Sequence, residues 1–194
     1  MTTTNGYVTL SEVKSWLAIT STSSTDDAVI EDMIEGASRL IDRLTGGRTF
    51  YARSETHYYA LPSSRTLYID DDDLISITTL KNGDGTTLTS AQYNLIPRNQ
   101  TPKYAIKLAS GYSWMPSSSD NDYPITIYGS WGKSSTAPDD IKQACQDIVA
   151  NAYHRRFGQG QSGQTIISGG GIMITPEDVP STAMTIIRGH KRMF

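Results

Sequence analysis

Residues 9–44 constrain this chain more than any other stretch, because they spell two helices with start and stop signals in place. Thr9-Leu10-Ser11-Glu12 has the spacing of a capping box: the threonine hydroxyl accepts from the glutamate amide, and the glutamate side chain reaches back. Leu10, Val13 and Leu17 recur on one face with Trp16 beside them. Residues 21–24 form a polar break. Ser24-Thr25-Asp26-Asp27 then offers a second N-cap and sets carboxylates in a first turn, where the helix dipole favours them. Val29, Ile30, Met33, Ile34, Ala37, Leu40, Ile41 and Leu44 follow at helical spacing, and Gly46-Gly47 ends the run in the manner of a C′ glycine. The seam holds no reactive residue. It is built to pack, so function is sought in what it carries.

After Gly47 the helical period gives way to short segments rich in aromatic and β-branched residues. Strands are expected over 48–51, 56–61, 66–69, 74–81, 86–89, 93–96, 104–108 and 125–128. Asn82-Gly83-Asp84-Gly85 reads as a hairpin turn in which both central residues take positive φ. Residues 97–102 and 110–123 read as loops, the second long and polar around exposed-looking aromatics. A helix returns at Pro138-Asp139, with proline and acids in the first turn. Its apolar face carries Ile141, Ala144, Cys145, Ile148, Val149, Ala152 and Phe157. Residues 158–171 are rich in Gly, Gln and Ser and read as a mobile joint. Val179-Pro180 opens a short final helix with Met184, Ile186 and Ile187 apolar and a basic end.

The expected fold is α+β: mainly an α-helical bundle of about four helices with a β-rich insertion between the second and third helices and an extended C-terminal arm. The expected parts are a helical pair at 1–47, the β-rich insertion at 48–135, the third bundle helix at 136–157 and the arm with its short basic helix at 158–194.

A chain of 194 residues with net charge −3 lacks the strongly positive balance of a typical nucleic-acid binder. Acids dominate the first third, whereas bases prevail after Pro138. Cys145 is the single cysteine, which rules out an intrachain disulfide, and it reads as a core thiol. No basic start followed by an apolar run opens the chain, and no stretch has the length of a membrane span. A soluble intracellular product with no membrane partner is expected.

Asp70-Asp71-Asp72-Asp73 is the most conspicuous polar cluster. Four carboxylates suit a hard cation, but the spacing is not that of an EF-hand, and consecutive residues point different ways. A solvated turn or acidic contact patch is the plainer reading. His57, His154 and His190 lie in three different elements with no second ligand at metal spacing along the chain. No nucleophile elbow, phosphate-binding loop or His-Glu-x-x-His motif occurs. No catalytic, metal or cofactor residue is assigned, and neither enzyme activity nor a cofactor is expected. A hydrolase using metal on the Asp70–Asp73 run would lack a base and a nucleophile. The basic end, Arg188-Gly189-His190-Lys191-Arg192-Met193-Phe194, reads as a solvated tail, as a dock for an acidic protein partner, or as a phosphate contact. Met193-Phe194 favours the protein pocket. Tyr112, Trp114, Tyr123, Tyr128 and Trp131 are either small-sheet packing or interface anchors. Aromatic loops of this kind give the rival reading of the whole chain, a surface- or carbohydrate-binding module that stacks sugars on Tyr112, Trp114 and Tyr123.

Two stretches resemble the gp6-like head–tail connector (adaptor) proteins of tailed bacteriophages. The first is Tyr7-Val8-Thr9-Leu10-Ser11-Glu12-Val13-Lys14-Ser15-Trp16-Leu17 with Asp26-Asp27 and the helix ending Ile41-Asp42-Arg43-Leu44-Thr45-Gly46-Gly47-Arg48. The second is Tyr128-Gly129-Ser130-Trp131-Gly132 ahead of Pro138-Asp139-Asp140-Ile141-Lys142-Gln143-Ala144, ending Tyr153-His154-Arg155-Arg156. The resemblance implies a structural virion protein of the neck, made in the host cytoplasm. It implies a closed homo-oligomeric ring of about twelve copies built from head-to-tail contacts. The partners implied are the portal protein above and a stopper or tail-completion protein below, with DNA passing through the lumen without specific binding. Segment 158–194 would reach the portal, ordered by burial on its partner. The candidate portal contacts are Arg155, Arg156, Ile186, Ile187, Arg188, Lys191, Arg192 and Phe194. The candidate insertion-loop interface is Tyr112, Trp114 and Tyr123.

Overall fold

The computed structural model describes residues 5–20, 22–119, 122–157, 167–168, 171–172 and 179–191. The fold is α+β and divides into two compact units: Met1–Arg48 with Ala137–Phe194, and Thr49–Thr136.

In the first unit, α1 (Leu10–Trp16) opens on the expected capping box: the Glu12 amide donates to Thr9 Oγ1 at 3.2 Å, and the Thr9 amide donates to Glu12 Oε2 at 2.7 Å. Val13 is fully buried, whereas Trp16 is turned outward. Lys14 is buried and ties α1 to the start of α2 (Asp27–Leu44), donating to Asp27 Oδ1 at 2.7 Å and to the Ser23 carbonyl. Asp27 therefore does more than favour the dipole. Asp26 occupies the N-cap without making a cap hydrogen bond; its Oδ2 accepts from the Tyr153 hydroxyl at 3.0 Å instead. At the far end, Gly47 N donates to Asp42 O and Gly46 N to Arg43 O, with Gly46 at φ +82°. That pair of bonds is a Schellman cap, and the left-handed C′ position is why glycine stands there.

Helix α3 (Asp139–Phe157) buries Ile141, Ala144, Cys145, Ile148 and Val149 against α1 and α2 on one side and α4 on the other. Helix α4 (Ser181–Gly189) seats Ala183 and Ile187 with no exposed surface. The sequence suggests a free arm here because the preceding residues are Gly-rich. The last helix nevertheless covers an apolar face of α3 that would otherwise meet water. The expected mobile joint falls mostly outside the described residues.

The second unit holds two antiparallel sheets. In one, the order is β1 (Arg53–Tyr59), β7 (Ile125–Trp131), β3 (Leu74–Lys81), β4 (Thr87–Leu88); in the other, it is β2 (Thr66–Tyr68), β6 (Ala105–Leu108), β5 (Tyr93–Ile96). A further two-residue pair, β8 (Ile167–Ser168) with β9 (Gly171–Ile172), belongs to the first unit. Alternation decides the faces. Along β7, Ile125, Ile127 and Trp131 point into a cluster with Tyr59, Leu67, Leu74, Leu80, Ile106 and Leu108, drawn from both sheets. Thr126, Tyr128 and Ser130 point out beside Tyr58, Thr56 and Ser54 of β1.

Two expectations are corrected here. Residues 48–51 are not a strand: Phe50 is buried and Thr49 O accepts a single bond from Lys133 N at 2.7 Å, so no ladder forms before Arg53. In the β3–β4 turn only Gly85 takes positive φ, at +84°. Gly85 N bonds Asn82 O and Asn82 N bonds Thr86 O, so an ordinary turn is closed by one left-handed glycine.

Candidate functional site

Three surfaces carry the polar and aromatic residues singled out above. The first is basic. Tyr153 anchors the end of α3 through Asp26, and beyond it His154, Arg155, Arg156 and Phe157 are exposed. The Arg156 guanidinium lies 5.3 Å from the Phe157 ring centre. On α4, which runs back along α3 so that Thr182 meets Asp147 and His190 meets Asp140, Arg188 and Lys191 are exposed at the opposite end of α3 from Arg155 and Arg156, while Ile186 is half-buried. His190 is engaged within its own unit: its Nε2 lies 2.7 Å from Asp140 Oδ2 and its carbonyl accepts from Arg48 Nη1 at 3.0 Å. Burial pushes the Asp140 carboxyl up, but the His190 hydrogen bond and charge outweigh it and hold it below its usual value. Ile187 is a correction: it is 0 % exposed against α3 and is not available to a partner. Arg192 and Phe194 lie outside the described residues.

The second surface is aromatic. Tyr112 and Tyr123 are exposed, at 40 % and 59 %, but Trp114 is only 8 % exposed and belongs to the β core. The cause is Asn82, itself buried, whose Nδ2 donates to Ser113 O at 3.1 Å and whose Oδ1 accepts from Met115 N at 2.8 Å. These bonds hold the loop against the hairpin and turn the intervening indole inward. Trp114 cannot stack on a sugar, which removes the anchor of the carbohydrate reading. Tyr58 and Tyr128, on the outer face of the four-stranded sheet, are exposed instead. Their alternation with Tyr59 and Ile127 was the signal for that placement.

The third is a polar cluster at β1 and the β2–β3 connection. Glu55 and His57 are two apart on a strand and so share a face. The His57 ring stacks on Trp131, centroids 3.8 Å apart. Its Nδ1 lies 2.8 Å from Asp71 Oδ2, and the Tyr59 hydroxyl donates to Asp71 Oδ1 at 2.5 Å. Its Nε2 faces Glu55 Oε2 at 3.5 Å and Asp72 Oδ2 at 4.0 Å. Arg53 pairs with Asp72 and lies 3.5 Å from Glu55. Burial raises the Asp71 carboxyl, but hydrogen bonds from Tyr59 and His57 prevail and hold it below its usual value. Burial, then the Asp71 hydrogen bond, hold the Tyr59 phenol well above its usual value. Asp71 and Asp72 thus both face His57, one at each ring nitrogen, while Asp73 is buried and Asp70 exposed. Cys145 is buried, and burial pushes its thiol up to about 12.

No helix of the described residues is long and apolar enough to cross a membrane. The model of a family described as head completion protein matches residues 7–193. No curated protein matches the chain. Among solved structures, the chain is similar to one in the neck of an empty GTA particle computed with C6 symmetry, with TM-score 0.58 and 15 % identity over 97 % of this chain and 91 % of that one. It is also similar to a chain in the neck of a native GTA particle computed with C12 symmetry, with TM-score 0.54 and 15 % identity over 95 % and 88 %. At that identity the likeness speaks for the fold.

Proposed function

The chain belongs to the head completion protein family, and on that premise we propose that it is a structural adaptor in the neck of a tailed phage-like particle. Copies join into a ring beneath the portal, extend the DNA channel and present a surface for the stopper or tail. The observation that carries this reading is the family match across nearly the whole chain. Necks of similar fold, computed with six- and twelve-fold symmetry, support a ring. A ring closes through heterologous contacts, so each copy needs two unlike surfaces. For docking on an acidic portal surface two separate groups of exposed cations are available: Arg155 and Arg156 at the C-terminal end of α3, and Arg188 and Lys191 beside its N-terminal end. The exposed tyrosines, Tyr58 and Tyr128 on the sheet face and Tyr112 and Tyr123 in the loop, are suited to packing against a neighbouring neck component. A net charge of −3 fits a channel wall that lets DNA slide.

Native mass measurement of the full chain, alone and with portal, tests the reading, followed by averaging of particle images. A rotationally symmetric ring seated on portal is the expected result. Replacing Arg155 and Arg156 by glutamate, and separately Arg188 and Lys191, should in one of the two cases weaken docking by about tenfold or more, since like charges juxtaposed at an interface are costly, and so show which end of α3 faces the portal. A chain that stays unassociated with portal, or that is missing from purified particles, would overturn the proposal.

A further inference from the structure

We propose that His57, Glu55 and Asp72 form a binding site for a transition-metal dication of the zinc class, held within the β unit. Their ligand atoms lie within 4.8 Å of one another. Zinc bonds of about 2.0–2.1 Å in tetrahedral array place neighbouring ligands about 3.3 Å apart. The Nε2–Oε2 and Nε2–Oδ2 separations of 3.5 and 4.0 Å need to close by only tenths of an ångström.

The histidine is prepared for this. With Asp71 accepting at Nδ1, a neutral imidazole would offer its Nε2 lone pair to an ion held between the two carboxylates. The Asp71 carboxylate is in turn fixed by Tyr59. A carboxylate behind a ligating imidazole is the arrangement that orients metal-bound histidines and raises their basicity. Trp131, stacked on the imidazole, fixes the ring plane, and His57 is only 16 % exposed. Glu55, Asp71 and Asp72 against Arg53 leave a double negative charge, which a dication neutralises. Asp72 Oδ2, the oxygen facing Nε2, also accepts from Arg53, so a bound ion would share that oxygen with the guanidinium or displace it. One imidazole with two carboxylates favours zinc over calcium, which takes six or more oxygens. A bound ion would pin β1 to the β2–β3 connection.

The test is calorimetric titration of the full chain with Zn²⁺, with Ca²⁺ as a parallel arm. One equivalent of Zn²⁺ should bind, and Zn²⁺ should raise the melting temperature. His57→Phe keeps a ring on Trp131 and should lose binding by about tenfold or more, as should Asp72→Asn. Circular dichroism of each variant checks that it is folded. His190→Gln, on the other unit, should bind as the parent does. Absence of saturable Zn²⁺ binding by the parent, equal binding by folded His57→Phe, or Ca²⁺ bound as tightly as Zn²⁺ would each overturn the site.

Discussion

Asn82 shows how one side chain decides the fate of a loop. It bonds two backbone groups of the 113–115 segment from a position with 3 % exposure. Asn82→Ala strands the Ser113 carbonyl and the Met115 amide and should destabilise the β unit by about 2 kcal/mol. Urea unfolding read by indole fluorescence measures it; a loss below ~0.5 kcal/mol would mean that the loop holds itself. Cys145 makes a second test at this scale. With its thiol raised to about 12 and no solvent access, it should resist a disulfide reagent at pH 8 until the protein unfolds. Asp71 gives a pH dependence. Its native pKa is lowered, so the unfolded chain binds its proton more readily. Its stabilising contribution is complete above about pH 4 to 5 and is lost as pH falls through the lower native value. Asp71→Asn should flatten the acid limb of the stability curve.

Among the elements, the capped ones were legible. The capping box of α1, the glycine stop of α2 and the proline entry of α3 are local signals, and the chain obeys them because each satisfies orphan backbone groups. Strands β3 and β5 were legible for a related reason: aromatic and branched residues ran up to a clear turn. What could not be read was whatever depends on distant partners. Trp114 looked exposed because Asn82, which turns it inward, lies 32 positions earlier. The Glu55-His57-Asp72 grouping was hidden because β1 and the β2–β3 connection meet only in the fold. Arg155 and Arg156, by contrast, were legible as exposed charges at a helix end. Two substitutions test the elements. Thr9→Ala should cost about 1 kcal/mol through the lost cap of α1. Ile187→Ala should cost about 3 kcal/mol by opening a cavity beneath α4. No change in melting temperature for the second would show that α4 detaches in solution.

For the whole molecule, α4 alters how a partner-binding test must be designed. Removing 179–194 would bare the α3 face that Ala183 and Ile187 cover. The truncated chain should therefore melt lower before any question of docking arises, and charge reversal at exposed cations is the cleaner probe. The β unit offers a different lesson. Its first and last segments are antiparallel neighbours, with Arg53 opposite Trp131 and Lys133 N bonded to Thr49 O. A cassette whose two ends are already stitched together asks its host only for adjacent attachment points. Lengthening, trimming or exchanging it leaves the chain's path through α2 and α3 unbroken.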